Sequence, residues 1–129
     1  MRIRVYYEDT DCGKVVYYAN YLRYMERSRT EYLRDRGIDL SLWQERGYLF
    51  VVVEANVKYR APARYNDLLE VESIITELTS ASVTFVTSVY RGKGALLVKG
   101  TIRLACTDTS GHIRRIPDEI REVLTPTPQ

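Results

Sequence analysis

Histidine is almost missing from this chain of 129 residues, with His112 the single example, and cysteine is limited to Cys12 and Cys106, far apart in sequence. A protein zinc site normally draws on several His and Cys side chains at short spacing. No metal site and no cofactor are therefore expected. Two distant Cys do not make a disulfide framework and read as free thiols of a reducing compartment. Long apolar runs are lacking too. The longest, Leu49 to Val53, is far short of the ~20 residues that cross a bilayer. The opening Met1-Arg2-Ile3-Arg4 carries no apolar signal region. A soluble, cytoplasmic protein without membrane insertion is the expectation. A net charge of +2 provides no basic excess for a nucleic-acid partner. Phe is scarce, at two, beside eleven Tyr. Tyr joins an apolar body to a polar tip, which suits subunit interfaces and pocket rims as well as cores.

What is present fits one domain, expected over 1–124, with a polar, Pro-containing tail at 125–129 expected to be disordered. Arg2 to Tyr7 alternates polar and apolar residues and predicts a strand. A turn-like stretch, Glu8 to Lys14, leads into the longest helical pattern, about Ala19 to Arg36. On a helical wheel Tyr21, Met25, Ser28 and Tyr32 share one side, flanked by Leu22, Tyr24 and Leu33. Gly37 supplies the stop. After a connection containing Trp43 and Gly47 the period changes to two. Val53, Ala55, Val57 and Tyr59 alternate with Glu54, Asn56, Lys58 and Arg60, predicting a half-exposed strand. Three more strands are expected, Leu68 to Leu78, Ser82 to Tyr90 and Ala95 to Thr107. Arg91-Gly92-Lys93-Gly94 joins the last two as a hairpin turn; no helix follows it, which argues against a phosphate loop. Pro117, Asp118 and Glu119 open a short C-terminal helix. The class is α+β: one long helix against a curved five-stranded antiparallel sheet, whose other face and edges call for loops or a second subunit.

Chemistry concentrates between Tyr6 and Leu33. Asp9 and Asp11, two apart, project to one side of an extended segment, and Gly13 lets the chain turn before the helix begins. A carboxylate beside a helix N-terminus is held ionised by free N–H donors, and such donors also stabilise an oxyanion on a substrate carbonyl. On the residues alone, capping the turn and helix is the commoner role for such acids.

The same stretch resembles the 4-hydroxybenzoyl-CoA thioesterase family of hotdog-fold proteins, including the bacterial acyl-CoA thioesterases associated with the Tol-Pal gene cluster. The matching residues are Tyr7, Asp9, Asp11, Gly13, Tyr17-Tyr18 and Asn20-Tyr21, continued by Tyr24-Met25-Glu26-Arg27 and Arg29-Thr30-Glu31. Tyr59-Arg60-Ala61-Pro62-Ala63 and Asp67 resemble the family's second block. The resemblance implies a central helix wrapped by the sheet, a homodimer or homotetramer, and an active site at a subunit interface. It implies hydrolysis of a short-chain or aryl acyl-CoA to free acid and CoA. Asp11 would be nucleophile or general base, and the Tyr18 backbone amide would polarise the thioester carbonyl. Many short-chain members carry His where this chain has Tyr18, whereas the aryl-CoA member carries Tyr. Asp11 is then the acid-base group. Lys58, Arg60 and Arg64, or Arg91 and Lys93, are candidates for the phosphates of CoA.

Other candidates compete. A Cys12–His112 dyad would be a nucleophilic alternative, although nothing in the sequence brings the two together. Glu26 and Glu31 are reserve carboxylates, because another hotdog lineage uses a helix-borne acid. Arg29 falls on the apolar side of the wheel and calls for a partner, such as a carboxylate of the same or a neighbouring subunit. Two further functions stand beside hydrolysis. One is a non-catalytic hotdog that binds an acyl thioester or a partner protein. The other is acyl-CoA hydration, for which the usual Asp–His pairing is missing.

Overall fold

The computed structural model describes residues 1–12 and 14–126. Gly13 of the expected turn and residues 127–129 of the expected tail lie outside the described residues. The chain runs through β1 (Arg2–Arg4), a single 3-10 turn (Tyr7–Asp9), β2 (Thr10–Asp11), β3 (Val15–Val16) and the long helix α1 (Ala19–Arg34). It continues through α2 (Leu40–Glu45), β4 (Leu49–Tyr59), β5 (Leu68–Leu78), β6 (Ser82–Arg91), β7 (Leu96–Thr107) and α3 (Asp118–Val123). Five strands form one antiparallel sheet in the order β1-β5-β6-β7-β4, and β2 and β3 form a separate small hairpin. This is the α+β layout expected from the sequence. Among the described residues no helix is long and apolar enough to cross a membrane.

Helix α1 buries Tyr21, Tyr24, Met25, Ser28 and Leu33, as the wheel predicts, and Asn20 and Arg29 with them. Leu22 is exposed, and Tyr32 is half-buried with its ring edge-on to Phe85 at 5.6 Å. The helix ends two residues earlier than expected. Gly37 follows with φ at +82°, and the Ile38 N–H reaches back to the Leu33 carbonyl at 2.9 Å. A left-handed residue closing the last turn is the ordinary use of Gly there. Gly100 has a different task. A Cβ on it would lie 2.6 Å from the buried Met25 Sδ, so its lack of a side chain lets α1 approach β7.

Three sequence expectations need correction. The Trp43 connection is not plain loop: it holds α2, capped by Asp39, whose carboxylate accepts from the Ser41 N–H at 3.0 Å. The turn at 8–14 holds the first strand and the bend of a β-hairpin that β3 completes. Last, β4 is not a half-buried strand of alternating faces. Val51, Val52 and Val53 are all exposed, and a bulge interrupts the register between Val52 and Glu54. An extra residue in one strand breaks the period of two. Moreover α1 packs mainly against β5 and β6 and meets β4 near its end, where the Tyr21 and Tyr59 rings lie 5.6 Å apart.

Candidate active site

The segment before α1 is organised around Asp9. Its carboxylate accepts from the Tyr6 N–H at 2.9 Å, and its carbonyl accepts from the Tyr17 N–H at 2.9 Å and Asn20 Nδ2 at 2.8 Å. The buried Asn20 therefore ties the first turn of α1 to the 3-10 turn. Tyr24 lies beneath. Burial and the nearby Asp9 charge push its phenol well above the ordinary tyrosine range. Asp9 is thus committed to backbone and helix.

Asp11 is two residues further along, and among the described residues its carboxylate has no such ties. It is exposed on β2, where it pairs with Val15 across the hairpin. Cys12, at φ +54°, starts the reversal that the Lys14 N–H closes onto the Asp11 carbonyl at 3.2 Å. The hairpin docks on the loop after β4 through Val16 N–H to Ala63 O at 2.8 Å and a bridge between Val15 and Arg64. The Tyr17 and Tyr18 rings lie 4.8 Å apart, and the Tyr17 phenol is raised, chiefly by Tyr18 and least by the Asp11 charge.

Tyr18 stands at the opening of α1, and among the described residues its backbone N–H donates to no protein acceptor. Its ring is 61% exposed and borders an open pocket with Val16, Tyr21, Tyr59, Arg60 and Pro62. Rings of Tyr18 and Tyr59 meet edge-on at 6.5 Å, and Tyr21 and Tyr59 at 5.6 Å. Tyr21 is fixed from the far side, its Oη accepting from the Ala63 N–H at 2.9 Å. Burial raises the Tyr21 and Tyr59 phenols, so both stay neutral at physiological pH. Tyr59 had no role assigned from sequence. The signal was its place as the last residue of a strand directly before Arg60-Ala61-Pro62.

The basic candidates separate. Arg60 lines the pocket, while Lys58 and Arg64 are exposed on β4 and on the adjacent loop. Arg91 is occupied: its guanidinium meets Asp67 at 3.1 Å and the Pro62 carbonyl at 2.8 Å, pinning the loop that carries Arg60 and Arg64. Lys93 sits in the β6–β7 turn beside Arg2 and Glu70, in a different depression.

The competing candidates are not brought together. The Cys12 hairpin lies near Leu97, the start of β7, through the loop whose Arg60 N–H bonds the Leu97 carbonyl. His112 lies past the other end of β7, with Nδ1 3.5 Å from Asp108, about 30 Å away along the strand at ~3.3 Å per residue. Glu26 accepts from the Thr30 hydroxyl at 3.1 Å, and Glu31 pairs with Arg34. Glu26 is eight residues beyond Tyr18, about 12 Å along α1. Among the described residues no three His, Cys, Asp or Glu side chains cluster as metal ligands.

Residues 5–124 match the family described as the thioesterase-like superfamily. The acyl-CoA thioesterase YbgC of Haemophilus influenzae is 42% identical over 107 residues, covering 82% of this chain and 78% of its own. The acyl-CoA thioester hydrolase YbgC of Escherichia coli O6:H1 is 39% identical over 106 residues, 82% of this chain and 79% of its own. Among solved structures, a probable thioesterase from Bartonella henselae superposes with a TM-score of 0.86 at 33% identity, covering 91% of this chain and 97% of that one. The chain belongs to the thioesterase-like superfamily and is a thioester hydrolase with the hotdog fold.

Proposed function

We propose that the protein hydrolyses short-chain or aryl acyl-CoA thioesters to the free acid and CoA, with Asp11 as the reacting carboxylate. The observation that carries this reading is a convergence. The hairpin that bears Asp11 reaches one aromatic pocket through Val16. Tyr18, whose amide has no acceptor among the described residues, lines it with the Tyr59–Pro62 segment. In that pocket the thioester carbonyl oxygen accepts from the Tyr18 N–H, where the dipole of α1 favours developing negative charge. As general base, Asp11 takes a proton from water while the hydroxide oxygen bonds to the carbonyl carbon. The tetrahedral oxyanion then expels the thiolate, which receives the proton. As nucleophile, the Asp11 oxygen itself forms that bond, CoA leaves, and water cleaves the mixed anhydride. Single turnover in ¹⁸O-water separates the two, since only the anhydride route can leave label in Asp11. Tyr18 in place of a titrating His leaves proton transfer to Asp11. Arg60, with Lys58 and Arg64, meets the phosphates of CoA at the pocket mouth.

The pocket is completed by a second copy of the chain, and the protein works as a dimer or as a tetramer of hotdog subunits in the cytoplasm. Support comes from β4, which exposes Val51, Val52, Val53 and Tyr59 along an edge with no neighbour in the sheet. An edge of that kind is normally covered. Thiol release across a series of acyl- and aryl-CoA substrates tests the reading. Turnover of at least one class is expected. Tight binding of all of them without thiol release would instead identify a non-catalytic acyl-thioester binder.

A further inference from the structure

A second pocket of about 90 Å³ opens beside the C-terminal half of α1, walled by Leu33, Phe50, Phe85, Leu104 and Leu124. Into this apolar space faces Arg29, only 9% exposed. Among the described residues its guanidinium makes no ion pair within 4.0 Å, although its nitrogens are not sealed from solvent. Glu26, at the rim, is exposed and engaged with the Thr30 hydroxyl. Burial lowers the Arg29 pKa and Glu26 partly offsets this, but a guanidinium stays charged in proteins. A cation so largely withdrawn from water without a protein partner carries a desolvation cost, and a planar fork of donors matches a carboxylate.

We propose that this pocket is a binding site for a free carboxylic acid with a short aliphatic or single-ring apolar body, its carboxylate held by Arg29 and its body by the Leu and Phe wall. Eleven residues separate Arg29 from Tyr18, about 16 Å along α1. The site is therefore distinct from the pocket at the helix opening. Its ligand class includes the acids that thioester hydrolysis releases, yet the binding requires nothing of Asp11.

Calorimetry on the full chain with hexanoate and its neutral match hexanamide tests this. Hexanoate is expected to bind about tenfold or more tighter than hexanamide, the difference one charge-assisted contact makes. Arg29→Met, which keeps the stem's volume and should fold because it removes an unpaired charge, is expected to abolish the preference. Asp11→Asn is expected to keep it, so failure of the catalytic reading and failure of this one are distinguishable. If Arg29→Met does not fold, methyl NMR of the wild type gives the answer: hexanoate must shift Leu33, Leu104 and Leu124 rather than residues around Tyr18. Equal affinity for acid and amide, an acid preference retained in folded Arg29→Met, or shifts confined to the Tyr18 end would each overturn the proposal. They would return Arg29 to an ion pair across a subunit interface.

Discussion

The two ends of α1 solve different physical problems. At the Leu33 end, Leu33, Ile38, Trp43, Ile75, Phe85, Ile116 and Ile120 form a continuous apolar cluster to which α2 and α3 contribute Trp43 and Ile120, with the Arg29 pocket at its margin. At the Tyr18 end the helix begins in a crowd of exposed tyrosines, and order comes from directed hydrogen bonds around Asp9, Asn20 and Ala63. Dispersion and water exclusion stabilise the first end without fixing any one polar atom. The second end also has an apolar base, in Val5, Val16, Tyr21, Met25 and Leu97, but adds directed hydrogen bonds that hold backbone groups in set positions, as a reacting site requires. On the proposed reading stability and chemistry fall to different residues, and substitutions at the two ends should separate them.

The largest effect on stability belongs to the Leu33 end. Phe85→Ala empties the space beneath Tyr32 and should cost about 3–5 kcal/mol, read as a lower midpoint in urea. Turnover per folded molecule should stay close to wild type. A comparable fall in turnover would mean the two ends are coupled. A smaller effect is expected from Arg91→Met, which frees Asp67 and the Pro62 carbonyl and loosens the loop carrying Arg60. Steady-state kinetics should show KM for the CoA substrate rising severalfold with kcat little changed. A fall confined to kcat would place Arg91 in the chemistry instead of the scaffold.

The smallest effect concerns acid. Hydrogen bonds from the Ser41 side chain and N–H hold the Asp39 carboxyl below its usual range, and the His112 N–H does the same for Asp108. A carboxyl depressed in the folded state contributes stability above its unfolded pKa and loses it as pH falls through the folded value. Melting temperature should therefore be flat near neutrality and decline below the ordinary carboxylate range. Asp39→Ala should lower it slightly at neutral pH and flatten part of the acid decline. An unchanged acid profile in that variant would remove Asp39 from the account.

The Leu33 end was the more legible in sequence. A period near 3.6 marks α1, Gly37 marks its stop, and β5 falls on Leu68–Leu78 as expected. Those signals are repeated along a segment, so they survive one discordant residue. The site end was legible as a motif but not as geometry. Two-residue strands such as β2 and β3 have no period to detect, and the Asp11 hairpin is held by its docking on Ala63 and Arg64, distant in sequence. The six residues of α2 are likewise too few for a helical pattern. The exposure of β4 depends on where α1 lies across the sheet, which alternation within the strand cannot report. Arg29 was readable as a charge on an apolar face. That it faces a cavity in place of a carboxylate of its own chain follows only from the packing.

The central claim is that Asp11 carries the chemistry while Asp9, two residues away, carries structure. Asp11→Asn keeps shape and most hydrogen bonding but removes the basic oxygen. Measured by thiol release on the best acyl-CoA substrate, its kcat should fall by about a hundredfold or more, with KM and melting temperature near wild type. Near-normal turnover in a folded, assembled Asp11→Asn protein, or an equal loss appearing only in Glu26→Gln, would contradict the account.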